Sequence, residues 1–282
     1  MISVVVPVRN GMPWLLEQLR ALTDQECHMP WEVIVVDNNS TDESRSVVLE
    51  WANRSDRVRL VDASHVRGPG ATRNVGVGEA RGELLAFCDA DDVAQPGWLT
   101  AHVLALADAD ISAGVFDPWS LNGLVAPYPS SYAPPPAMGL FGFLPGAGSG
   151  NVAFRRRVFE ELGGFAEDMM TGEDIDLSWR AQLAGHRYVL CTDAVVARRD
   201  QRGFRAVFRR YTSYGRSGPV LYRRYRGDGL RRELLLAGKT WGWLVLNVPR
   251  LLQREFRDRW ARIAGWRTGR LAESVRQRVL FP

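Results

Sequence analysis

Short apolar runs, the first of them β-branched, that alternate with stretches of helical spacing constrain this chain more than any other feature. The runs are Ile2–Val6, Glu32–Val36, Val58–Val61 and Glu83–Phe87, with Asp110–Val115 as a fifth. Between them, "PWLLEQLRAL" at 13–22 places apolar side chains at helical spacing, and Pro13 suits a first helical turn. Ser40 and Thr41 suit the N-cap of a helix reaching about Asn53, and further helices are expected over 70–80 and 96–107. Strands that stay apolar without alternating are those buried on both faces by helices. The expected class is therefore α/β, with an open, mainly parallel sheet flanked by helices.

In such sheets functional groups gather beyond the carboxyl ends of the strands. Those ends carry Pro7-Val8-Arg9-Asn10, then Asp37-Asn38-Asn39, then Asp89-Ala90-Asp91-Asp92. Three polar clusters thus converge on one crevice. One Asp at a strand end is commonly a helix cap, which accounts for Asp92 alone. Carboxylates at 89 and 91 as well ask for a hard divalent cation, Mg²⁺ or Mn²⁺, which takes carboxylate and phosphate oxygens together.

Beyond Asp117 the pattern breaks into Pro-, Gly- and Ser-rich sequence up to about Gly150, the length and composition of a functional lid or a disordered segment. "FRRRVFEELGGF" resumes regular structure, "TGEDIDLSWRAQLAG" reads as a turn into an amphipathic helix, and "HRYVLCTDAVVA" as one or two closing strands. The charge is divided. Residues 1–197 hold 14 basic and 26 acidic side chains, a net −12, whereas 198–282 hold 22 and 6, a net +16. A domain at 1–197, with a nucleotide-binding half to about 116 and an acceptor half at 117–197, followed by a basic helical extension at 198–282, is the expected organisation. Three separated cysteines, with no CxxC pair, point to reduced thiols in a cytoplasmic setting, and "MISVVVPVRN" has no basic lead-in of a secretion signal.

"VVVPVRN", "VIVVDNNSTDES", "GPGATRNVGVGEARGELLAFCDADD" and "TGEDIDLSWRAQLAG" together resemble, in order and spacing, the motifs of family 2 glycosyltransferases over roughly residues 2–197. The resemblance implies the GT-A fold and an inverting transferase that moves a sugar from a nucleotide-diphosphate sugar to a hydroxyl acceptor, in cell-surface polysaccharide, glycolipid or glycoconjugate synthesis. It implies Pro7 and Arg9 framing the base, Asp37 bonding it, Arg73 lining the nucleotide site and Asp89 near the ribose. Asp91 would bind the metal on the diphosphate and Asp174 would be the general base. Asn151, Glu173 and Arg198 are implied as acceptor or phosphate contacts. Without the resemblance, Glu173, Asp174 and Asp176 read as first-turn acids on a helix dipole. One departure is that Arg198 and Arg199 stand where many relatives carry a metal-binding His, and a guanidinium cannot ligate a metal.

A nucleotidyltransferase would also join such a sheet to Mg²⁺ and phosphates, but would place a glycine-rich loop after the first strand, where this chain has "PVRNGMPW". A catalytically inactive nucleotide-sugar-binding scaffold is the non-enzyme alternative, against which the intact acidic residues argue. In the tail, Arg, Trp, Tyr and Leu interleave at helical spacing. That suits the plane of an anionic membrane on the inner face of the cell, near a lipid-linked acceptor, or else packing on the acidic body or an oligomer contact. No nucleic-acid-binding motif accompanies the charge.

Overall fold

The computed structural model describes residues 1–123 and 140–282. The amino-terminal part alternates as β1 (Ile2–Val8), α1 (Leu15–Thr23), β2 (Trp31–Asp37), α2 (Ser44–Arg54), β3 (Val58–Asp62), α3 (Pro69–Glu79) and β4 (Leu84–Cys88). It continues through β5 (Val93–Ala94), α4 (Trp98–Asp108), β6 (Ile111–Asp117), β7 (Asn151–Arg155), α5 (Arg156–Glu161), α6 (Glu173–Leu183) and β8 (Tyr188–Ala197). One eight-stranded sheet results, in the order β3-β2-β1-β4-β7-β6-β8-β5. Its first four strands are parallel, β7 runs against both β4 and β6, and β6 and β8 are again parallel. The sheet is therefore mixed. The chain compacts into two units, Met1–Ala137 with Pro145–Asp200, and Met138–Leu144 with Gln201–Pro282.

Alternate residues of each central strand serve opposite cores. Val4, Val6 and Val8 of β1 pack with Leu15, Leu19, Trp98 and Val103 of α1 and α4. Val5, Ile34 and Phe87 pack on the other face with Val77, Phe159 and Leu177 of α3, α5 and α6. Both faces being covered, nearly every position is apolar, with the buried Ser3 and Glu32 bonded to each other at 2.7 Å, which is why the runs show no period of two. Pro7 is tolerated inside β1 because the pairing with β4 ends at Val5–Phe87, so its missing N–H falls beyond that ladder.

One local expectation gives way. Residue 43, not Ser40 or Thr41, precedes α2, and no side chain caps that helix. The hydroxyls and carboxylates of "NNSTDES" instead hold the β1–α1 loop: Ser40 Oγ accepts from the Asn10 N–H at 2.9 Å, Asp42 from Met12 at 3.0 Å and Ser44 from Gly11 at 2.9 Å. Asn10 adopts φ 57°, and its side-chain oxygen accepts from the Thr41 N–H at 2.7 Å. These bonds tie the ends of β1 and β2 together. Of the expected lid, residues 124–139 lie outside the described residues.

The second unit is helical, with α7 (Phe204–Gly215), α8 (Ser217–Tyr225), α9 (Leu234–Leu246) and α10 (Arg254–Gln277), and a 3₁₀ turn at Val248–Leu252. Helices α7 and α10 approach so closely that a Cβ on Gly269 would lie 2.1 Å from the Thr212 carbonyl oxygen. Among the described residues no helix is long and apolar enough to cross a membrane.

Candidate active site

The carboxyl ends of β1 and β4 and the first turn of α3 enclose a cavity of about 600 Å³. Pro7, Arg9, Arg73, Asp89 and Asp91 line it with Asn10 and Asn38 of the same polar strand ends, joined by Trp14, Arg67 and Met170, which sequence reasoning did not single out. Trp14 had a legible signal. The buried face of α1 is Leu15, Leu19 and Leu22, so a tryptophan just before it falls off the core face, and it is 39% exposed. Arg67 carried none, being one arginine among many.

Carboxylate oxygens of Asp89, Asp91 and Asp92 all lie within 4.8 Å of one another. Burial first, and then the charges of Asp89 and Asp91, push Asp92 up to about 8. A hard, oxygen-rich donor set under mutual repulsion fits a divalent cation, which would relieve that repulsion. Asp92 accepts from the Arg199 N–H at 2.8 Å, consistent with a structural neighbour to the other two.

Arg73 sits at the centre of the arrangement. Its guanidinium is almost wholly buried and donates to Asp89 at 2.7 Å and to Glu173 at 3.3 Å. Glu173 is buried as well, and burial followed by the charge of Asp174 raises it to about 7. Asp174, next along α6, accepts the Ser149 N–H at 2.9 Å and the Ile175 N–H at 2.8 Å. Gly150, one residue beyond Ser149, leaves room for Asp89, since a Cβ there would come within 2.8 Å of Asp89 Oδ2. Two short routes, one through Arg73 and Glu173 and one through the 149–150 backbone, therefore connect the β4 end to Asp174.

The remaining expected residues do not line the cavity. Asp37 is buried, pairs with Arg45 at 3.4 Å and accepts from the Ser40 N–H, so it stands behind the wall that Asn38 forms. Asn151 is 1% exposed and saturated. Its oxygen accepts from Trp98 at 2.8 Å and bonds His102 at 3.0 Å, while its nitrogen donates to the carbonyls of Val115 and Ala194. An amide with two acceptor and two donor sites filled has nothing left for a ligand. The expectation of an acceptor or phosphate contact there yields to a structural role, pinning β7 to β6 and β8 across the irregularity at Gly114. Glu173 likewise spends its carboxylate on Arg73. Arg198 extends β8 by donating its N–H to the Asp117 carbonyl, and its guanidinium lies 5.4 Å from the Phe116 ring centroid. Arg199 is the one that reaches the cavity wall. It stacks on Trp14 at 3.8 Å, pairs with Glu17 at 2.8 Å and donates to the Asp91 carbonyl.

The sequence model of the family described as "Glycosyl transferase family 2" matches residues 3–163. The chain is 27% identical over 262 residues to the pre-mycofactocin glycosyltransferase of Mycobacterium tuberculosis, a match covering 88% of this chain and 53% of that one. The chain thus spans about half the length of that relative. It is 29% identical to the succinoglycan biosynthesis protein ExoU of Rhizobium meliloti, over 92% of this chain and 76% of that protein. Among solved structures, the mannosyltransferase PcManGT from Pyrobaculum calidifontis, in complex with GDP-Man and Mn²⁺, aligns with a TM-score of 0.70 at 21% identity, covering 96% of this chain and 86% of that one. TarS 1-349 from S. aureus, in complex with UDP-GlcNAc, aligns with a TM-score of 0.56 at 18% identity, covering 100% and 93%. At these identities the structural likeness is one of fold, the GT-A arrangement.

Proposed function

The chain belongs to glycosyl transferase family 2, and from that premise we propose that it is an inverting transferase moving a sugar from a nucleotide-diphosphate sugar to a hydroxyl acceptor. The observation that carries this is the buried Arg73, which joins the acidic end of β4 to the helix bearing Asp174 beside a cavity of about 600 Å³. The relatives named for glycosyl transfer and succinoglycan biosynthesis support a setting in polysaccharide or glycoconjugate synthesis. The structural neighbours that hold GDP-Man with Mn²⁺ and UDP-GlcNAc support a nucleotide-sugar donor.

Pro7, Arg9 and Asn38 frame the nucleotide, with Asp37 stiffening the wall through Arg45. Arg9, Arg67 and the Arg199–Trp14 stack border the diphosphate side, and Asp89 meets the ribose. Asp91, with Asp89 and Asp92 at hand, would hold Mg²⁺ or Mn²⁺. When bound, such an ion stabilises negative charge as it develops on the leaving diphosphate. Asp174 takes the proton of the acceptor hydroxyl while that oxygen bonds to the anomeric carbon. The bond from that carbon to the diphosphate oxygen breaks on the opposite face, and its electron pair leaves with the nucleoside diphosphate. The Ser149 and Ile175 N–H groups hold the Asp174 carboxylate in place for this transfer. The net +16 of residues 198–282 suits the chain to peripheral work at an anionic membrane, on the cytoplasmic face, where a lipid-linked acceptor would lie.

A thermal-shift series with UDP-, GDP- and dTDP-linked sugars, with and without Mn²⁺, tests the donor side. At least one class should raise the melting temperature in a Mn²⁺-dependent way. No response to any nucleotide sugar would remove the proposal.

A further inference from the structure

We infer that the outward face of α9 and the turn after it is a docking surface for an anionic phospholipid bilayer, lying in the plane of the interface. This deepens the peripheral-membrane part of the function proposed above and locates it on named residues. Leu235, Gly238, Gly242, Val245 and Leu246 recur at helical spacing and are all exposed, whereas Ala237 and Leu244, on the opposite side of the helix, are buried. Leu235 is 85% exposed, Leu246 80% and Leu252, in the turn after α9, 86%. Lys239 shares this face, four residues after Leu235, so the surface joins exposed leucines to a cation, which is not an ordinary water-facing pattern.

Length decides how the stripe can meet a bilayer. Helix α9 has 13 residues, about 20 Å at 1.5 Å per residue, against a hydrocarbon core of about 30 Å. It is too short to span and long enough to lie flat. Charge decides the lipid. Arg231, Arg232, Lys239 and Arg250 are exposed around the stripe, and Glu233 is the only acidic residue from 231 to 253. Arg232 rests on Tyr222 and Arg250 on Phe256, so these cations are held at the border. Lipid phosphates can pair with that rim while the leucines enter the acyl region. A symmetric contact between two copies would instead set the basic rim against itself.

Co-sedimentation of the full chain with vesicles, at physiological ionic strength, tests this. The protein should partition onto vesicles of phosphatidylcholine with phosphatidylglycerol and stay in solution with phosphatidylcholine alone. The triple variant Leu235→Gln, Leu246→Gln, Leu252→Gln should bind more than about tenfold more weakly, with its melting temperature and nucleotide response retained. Equal binding to both vesicle types, unchanged binding by the triple variant, or a wild-type dimer that the variant converts to monomer without any vesicle binding would each overturn the inference. Vesicle binding needs no donor. A protein that sediments but ignores nucleotide sugars overturns the transferase proposal alone, and one that responds to nucleotide sugars but never sediments overturns this one alone.

Discussion

The two units treat polarity in opposite ways. The sheet unit draws charged and polar groups inside and gives most of them partners, as with Arg73 between Asp89 and Glu173, Glu32 with Ser3 and Arg59, and Asn151 with four partners. The helical unit keeps most of its arginines outside and leaves leucines of α9 in the open. A matched interior fixes geometry to fractions of an ångström, which chemistry at one carbon requires. An open apolar face surrounded by cations fixes no geometry, which is what a fluid partner requires. The difference teaches that substitutions in the first unit should act through broken internal partnerships, and surface substitutions in the second through a lost partner alone.

The largest effect is expected at Asp174. Asp174→Asn should lower transfer by ~10²–10⁴-fold while leaving donor-induced thermal stabilisation intact; single-turnover product formation at wild-type rate would remove the base. Next comes Arg73→Met, which strands the buried Glu173 carboxylate and should destabilise the sheet unit by about 3–5 kcal/mol in a urea titration. A loss below about 1 kcal/mol would show that the partnership across the site is not what holds it.

His102 supplies a pH-dependent test of the same interior. It is fully buried, bonded to Ser112 at 2.8 Å, and burial lowers it from 6.5 to about 4. The unfolded chain therefore binds a proton that the folded one refuses. The stabilising contribution is complete above pH 6.5 and is lost as pH falls toward 4, by up to about 3 kcal/mol. Asp92 and Glu173, raised to about 8 and about 7, contribute slopes of the opposite sign over this range, so the His102 slope is read as the difference between wild type and His102→Gln in urea titrations between pH 7 and 4. A slope unchanged by that substitution would assign the acid sensitivity elsewhere. The helical unit offers the smallest effect. Gly269→Ala forces a Cβ to within 2.1 Å of a backbone oxygen and should cost about 1–3 kcal/mol, against less than about 0.5 kcal/mol for Leu235→Gln on its surface. If calorimetry ranks these two the other way round, the division between a tight interior and an unpartnered face is wrong.

Much of the sheet unit was legible because its signals are local. The strands at 2–8, 31–37, 58–62 and 84–88 lie where the apolar runs predict them, with shifts of one or two residues at their ends. The acidic strand end at 89–92 was visible as a run of like charges. Ser40 was misread because a hydroxyl before a helix looks the same whether it caps that helix or bonds a loop 30 residues earlier. Asn151 was misplaced for a related reason. An amide in a glycine-rich segment looks available for a ligand until the carbonyls of Val115 and Ala194 arrive beside it.

By itself, the sequence determined where the first four strands and the helices between them form, and that acidic and basic halves differ, since each follows from periodicity and composition within a few neighbouring residues. Only the tertiary structure decided that β7 enters the sheet antiparallel between β4 and β6, that Arg73 meets Glu173 100 residues away, and that Leu235 and Leu246 of α9 stay exposed while Leu244 is buried. Those outcomes depend on which distant surfaces come together, and a buried charge or an uncovered side chain is defined by its neighbours in space, which chain order does not encode.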